Sequence, residues 1–142
     1  MIVDANVLVY TADSSAPQHQ RAVEWLEESL SGPVSVGLPW SSLIAFVRVT
    51  THPRLSAQPL TVRQAWHFVT EWLQVPVVWS PVPTADHARV LGELLARSGA
   101  TGNLVHDADL AALAVTYGVP VVSADSDFAR FAGVRWVNPF SG

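Results

Sequence analysis

Five short apolar runs alternate with longer stretches of helical periodicity, and this alternation restricts the fold more than any other feature of the chain. The runs cover 1–3, 34–38, 75–79, 119–122 and 134–137. The first passes into helix-compatible residues after Asp4. One intervening stretch starts at Gln18 and repeats Ala22, Trp25, Leu26 and Leu30 up to Gly32-Pro33. A second follows Pro39 and places Leu43, Phe46, Val47 and Thr50 on one side. A third opens at Thr61, a plausible N-cap, and carries Trp66, Phe68, Val69, Trp72 and Leu73. A fourth opens at Thr84, a second N-cap by type, and runs through Leu91, Leu94 and Leu95 to a stop at Gly99. The fifth follows 103–106, carries Leu110, Ala111, Leu113 and Ala114, and closes at Gly118. The residues 125–131 predict a helical turn. Strands that alternate with helices build a parallel sheet covered on both faces. The expected fold is therefore three-layer α/β/α, with a central, mainly parallel sheet of about five strands. The chain contains no linker that would divide it, so 1–142 is read as one domain.

In such a sheet the ligand crevice lies beyond the carboxyl ends of the strands, where the strand order reverses. Asp4 directly follows the first apolar run, and Asp125 closely follows the fourth. A strand that ends in a carboxylate carries a desolvation cost unless something compensates the charge. Asp107, near the start of the helix after 103–106, is a third acid that this topology can bring to the same sheet end. Each acid also fits a local role: a turn residue at Asp4, a dipole-favoured helix-start residue at Asp107, and turn and N-cap residues at Asp125 and Asp127. Their conjunction carries the chemical reading. Crowded carboxylates repel and raise one another's pKa, and Mg²⁺ or Mn²⁺ relieves that repulsion. Asp109 lies about 200° round a helix from Asp107 and is expected at a rim or in solvent. Asp127 is a weaker candidate on the same ground of direction.

Composition narrows the classes further. With 49% hydrophobic and 14% charged residues the chain is core-rich rather than disordered. It has no cysteine, which excludes disulfides, zinc–thiolate sites and thiol catalysis. The net charge is −4, so the protein is not a broadly basic nucleic-acid binder. A metal-dependent nuclease can nevertheless be acidic, because bound cations offset clustered carboxylates. No apolar run approaches the ~20 residues that span a bilayer, and the N-terminus has no basic region. The expectation is a cytoplasmic protein without membrane contact.

The segments Ile2-Val3-Asp4-Ala5-Asn6-Val7-Leu8, Asp107-Ala108-Asp109-Leu110-Ala111-Ala112-Leu113-Ala114 and Val122-Ser123-Ala124-Asp125-Ser126-Asp127-Phe128 resemble the PIN-domain ribonucleases. The resemblance is greatest to the VapC toxins of bacterial toxin–antitoxin pairs. Phe46-Val47-Arg48-Val49-Thr50-Thr51-His52-Pro53 and Phe128-Ala129-Arg130-Phe131, followed by Gly133, also look like segments of that toxin group. The resemblance covers essentially the whole chain in order. It implies a PIN-like domain and a Mg²⁺-dependent endoribonuclease, with Mn²⁺ as a substitute, that cuts tRNA- or rRNA-class RNA and inhibits translation and growth. It also implies a homodimer neutralised by a VapB-like antitoxin, in a heterotetramer or larger assembly.

By the same resemblance Asp4, Asp107 and Asp125 are the catalytic, metal-binding acids, and Asn6 helps position the first acid or substrate. A second family acid, usually a glutamate at the start of the second helix, is missing here. No acid occurs between Glu28 and Glu71, and the corresponding stretch is Trp40-Ser41-Ser42-Leu43-Ile44-Ala45-Phe46. Ser41 or Ser42 could hold a metal-bound water but supplies no charge; Asp127 is a partial replacement. The vacancy also leaves open a degenerate domain that binds antitoxin or RNA without cutting.

Arg48 and Arg54 flank the site-side helix end and read either as RNA phosphate contacts or as surface ion pairs. Ser123 either bonds a phosphate or carboxylate or fixes the strand end. His106 reads as a helix N-terminal surface residue, and the other histidines show no ligand spacing. Trp66 and Trp72 read as core, with an antitoxin or subunit interface as the other option. A dehalogenase-like phosphatase would need a second aspartate where Asn6 stands. A phospho-receiver would need a lysine, and all eight basic residues are arginine. A dinucleotide-binding reading fails for want of Gly-x-Gly-x-x-Gly.

Overall fold

The computed structural model describes residues 1–141. Its elements run in the order β1 (Ile2–Val3), α1 (Ala5–Ala12), α2 (His19–Ser31), β2 (Val36–Gly37), α3 (Trp40–Thr51), α4 (Val62–Gln74), β3 (Val78–Trp79), α5 (His87–Ser98), α6 (Asn103–Tyr117), β4 (Val121–Val122) and β5 (Trp136–Val137). A 3₁₀ turn, Ser126–Arg130, joins the last two strands. The five strands form one sheet in the order β3-β2-β1-β4-β5, and every pairing is parallel. The expected three-layer arrangement is present, with the sheet parallel throughout.

Adjacent strand residues point to opposite faces of the sheet. Ile2 and Val121 enter a core with Leu94, Leu110, Ala111, Phe128 and Phe131, under α5 and α6. Val3 and Val122 enter a second core with Leu8, Leu26, Phe46, Val69 and Trp72, under α1 to α4. Small residues let α6 lie close to the strands: Ala108, Ala111, Ala112 and Ala114 are all buried. Gly99 and Gly118 stop α5 and α6 in the left-handed conformation, at φ 64° and 68°. Among the described residues no helix is long and apolar enough to cross a membrane.

Side chains cap α1 and α4, and two other helix starts depart from expectation. Thr61 caps α4 in a full capping box with Gln64. Thr84 does not cap α5, which starts at His87 after Asp86. Instead Thr84 makes a preceding turn, its hydroxyl accepting from Asp86 N at 3.3 Å and its carbonyl from His87 N at 3.1 Å. Helix α6 starts at Asn103, so Asp107 sits in its second turn rather than at its end. The helix dipole, which acts within the first turn, does not account for that aspartate.

Candidate metal and RNA site

The chain leaves β1 towards β2 and β3, then returns to place β4 and β5 on the other side of β1. The order therefore reverses between β1 and β4, and their carboxyl ends open the crevice. Asp4 N donates to Val122 O at 2.9 Å, which carries the ladder one residue beyond the strands and brings the two ends together.

Asp4 caps α1, its Oδ1 accepting from Ala5 N at 2.8 Å. Its Oδ2 accepts from Ser123 Oγ at 2.7 Å and from Asn6 Nδ2 at 3.3 Å. Ser123, fully buried, also accepts from Asn6 Nδ2 at 3.1 Å and from Asp125 N at 3.0 Å. Asn6 Oδ1 accepts from Ala124 N at 3.2 Å. Asn6 and Ser123 thus tie the end of β1 to the loop after β4, and each touches Asp4. Asp125 sits in extended backbone ahead of the 3₁₀ turn and accepts from Asp127 N at 2.8 Å.

Carboxylate oxygens of Asp107, Asp125 and Asp127 lie within 4.8 Å of one another. Asp127 therefore stands in the acidic group rather than pointing away from it, although its Oδ1 also lies 3.4 Å from Arg130 Nε. Burial, and then the charges of Asp4, Asp125 and Asp127, push the Asp107 carboxyl up to about 6, with His106 pulling weakly the other way. Burial also raises Asp4 above the usual carboxylate range, and Asp125 adds to this. Hydrogen bonds from Ser123 and Ala5 oppose it. An all-oxygen donor set held in mutual repulsion suits a hard divalent cation.

A cavity of about 460 Å³ opens beside the acids, lined by Asp4, Ser41, Ile44, Arg48, His106 and Asp107 among others. Its α3 wall carries no acid. Ser42 is buried and donates to Val3 O at 2.8 Å, so it anchors α3 to the residue just before Asp4. Arg48 lines the cavity; Arg54 does not, and lies in the loop after α3. Asp109 also lines the cavity, but it is not simply a solvated rim residue. Its Oδ1 accepts from Nε2 of the buried His87 at 2.7 Å. Nothing in the spacing of 87 and 109 marks this pair, which arises only because α5 packs on α6.

The sequence pattern of the PIN domain matches residues 1–134. The chain belongs to the PIN domain family. Ribonuclease VapC37 of Mycobacterium tuberculosis is 45% identical to it over 138 residues, covering 97% of this chain and 96% of that protein. The crystal structure of M. tuberculosis VapC20, described as a sarcin-ricin loop cleaving toxin, superposes with a TM-score of 0.66 at 22% identity, covering 94% of this chain and 98% of the other. VapBC2 from Rickettsia felis, solved with a DNA fragment from its promoter, gives 0.65 at 17% identity, covering 96% of each chain.

Proposed function

We propose that the chain is the toxin of a VapBC-type toxin–antitoxin pair and a metal-dependent endoribonuclease, with a VapB-like antitoxin as its partner. The observation that carries the reading is the group formed by the Asp107, Asp125 and Asp127 carboxylates, within 4.8 Å of one another, in a chain 45% identical to a ribonuclease VapC. Asp4, Asp107 and Asp125 are assigned as the metal-holding acids, with Asp127 contributing where α3 supplies none. Mg²⁺ is the proposed ion, with Mn²⁺ as its substitute. Such an ion supplies an activated water and offsets the charge that builds on a phosphodiester as it breaks.

The chain's own residues do the rest. Ser123 and Asn6 hold Asp4 in one orientation through 2.7 and 3.3 Å hydrogen bonds. Asp125 N, bonded to the same Ser123 hydroxyl, fixes the second loop relative to the first. Arg48, on the cavity wall, offers a cation to an RNA phosphate. The proposed setting is the cytoplasm, the proposed substrates are of tRNA or rRNA class, and the proposed free form is a homodimer.

Induced expression of the wild-type chain is expected to stop growth, and Asp4→Asn or Asp107→Asn to restore it, with RNA ends mapped in both. Millimolar Mn²⁺ is expected to raise the melting temperature of the wild type and to leave Asp4→Asn nearly unmoved. Equal toxicity of both variants would overturn the assigned site.

A further inference from the structure

Resting on the ribonuclease reading, we propose that the stacked indoles of Trp40 and Trp66, with Arg48 and Arg63, form a platform that takes an unpaired base and the adjoining phosphates of a single-stranded RNA segment.

Trp40 opens α3 and Trp66 lies in the second turn of α4. Their ring centroids are 6.2 Å apart at an interplanar angle of 25°. This is an offset stack, and it stands outside the core: the two residues are 43% and 45% exposed. Trp72, on the same α4, shows what a core tryptophan looks like here; it is buried and packs edge-on against Phe46 at 4.8 Å. The platform adjoins the site. Ile44, one turn after Trp40 on α3, is 62% exposed and lines the cavity with Asp4 and Asp107, and Arg48 comes one turn later.

Charge selects the occupant. Residues 29–70, which include all of α3 and the first nine of the thirteen residues of α4, carry three arginines and no acid; the rest of the chain carries five arginines and twelve acids, Glu71 later on α4 among them. Among the described residues Arg48 and Arg63 enter no ion pair, whereas Arg89 and Arg130 do. Arg63 lies one helical turn before Trp66 on exposed surface. A flat aromatic surface flanked by uncompensated guanidiniums, on an otherwise acidic protein, matches a polyanion with exposed π-faces. Base–aromatic stacking with arginines along the backbone is how single strands are held without sequence readout. A duplex buries its bases in its own stack and offers the indoles nothing.

The test uses the full chain carrying Asp107→Asn, in EDTA, so that binding is read without cleavage. The probes are a fluorescein-labelled 12-nucleotide single-stranded RNA and the same RNA annealed to its complement, each titrated by anisotropy. The single strand is expected to bind at least tenfold more tightly than the duplex. Trp40→Ala with Trp66→Ala is expected to weaken single-strand binding about tenfold to a hundredfold. The Phe pair, which keeps an aromatic face and guards against misfolding, should stay within about threefold. Arg63→Gln should lower the slope of log affinity against log salt by about one. Equal binding of strand and duplex, or less than a twofold loss in a folded Ala pair, would overturn the platform. So would an Ala pair whose only change is loss of dimer in sedimentation, or loss of antitoxin capture, since the face would then belong to a protein partner. The nuclease reading is judged separately by Asp4→Asn toxicity, which does not depend on either tryptophan.

Discussion

Ser123 Oγ donates to Asp4 Oδ2 at 2.7 Å while accepting from Asp125 N at 3.0 Å. One buried hydroxyl therefore sets both the carboxylate that ends β1 and the backbone that launches the acid after β4. Ser123→Ala leaves Asp4, Asn6 Nδ2 and Asp125 N each one partner short. The expected cost is about 1–3 kcal/mol of stability, seen as a lower melting temperature. Loss of such an orienting contact also weakens metal binding about tenfold or more, which Mn²⁺ titration calorimetry reads. A variant that melts lower but binds Mn²⁺ as tightly as the wild type would reduce Ser123 to a fold residue.

The metal-free protein is expected to lose stability as pH rises through weakly acidic values. An unfolded Asp107 carboxyl releases its proton near 3.8, the folded one near about 6. Between these values the folded chain keeps a proton that the unfolded chain has lost, so stability falls as pH rises and stays lower above the window. Asp4, also raised, acts in the same direction. Melting curves from pH 4.5 to 7.5 in EDTA should show the fall, and Asp107→Asn should flatten it. Saturating Mn²⁺ should reverse the slope, because ligation requires the deprotonated carboxylates. A slope untouched by Asp107→Asn would remove that residue from the cluster.

The sheet, its parallel sense and its crevice are legible in the sequence because apolar runs and amphipathic periods are local signals that tertiary packing does not override. The side-chain directions near the acids are not. A helical wheel sets Asp127 aside, but Asp125 is extended, with φ −88° and ψ 115°, and the chain continues from it as a 3₁₀ turn. Three residues per turn and an extended first residue put both carboxylates on one side. For Asp109 the wheel separates the residue from the acidic group, yet Asp109 still lines the same cavity and its Oδ1 meets His87 on α5, which the wheel does not show. By sequence Ser42 is a free hydroxyl beside the site; that it is spent on Val3 O comes from how closely α3 packs on β1, which no spacing encodes.

That packing separates two substitutions at the acid-free wall. Ser42→Glu buries a charge where the serine is 3% exposed and removes the Val3 anchor, so the variant should lose several kcal/mol and accumulate poorly. Ser41 is exposed and lines the cavity. Ser41→Glu should fold normally and raise Mn²⁺ affinity by adding a carboxylate on the side that has none. Calorimetry and melting curves on both proteins decide the matter; a Ser41→Glu chain with unchanged Mn²⁺ binding would mean that this wall does not reach the ion.

His87 and Asp109 form a part-buried polar contact between α5 and α6. His87 Nε2 donates to Asp109 Oδ1 at 2.7 Å, and its buried Nδ1 has no hydrogen-bond partner among the described residues. Asp109→Ala would take the acceptor from Nε2 beside an already unpaired Nδ1, at a cost of about 1 kcal/mol. Replacing both residues, His87→Leu with Asp109→Ala, removes the polar ring together with its partner and should cost less than the sum of the two single changes. Denaturant unfolding of the four proteins in a double-mutant cycle measures the difference. Additive losses would show that the 2.7 Å contact couples nothing, and that the helices hold together through their apolar faces alone.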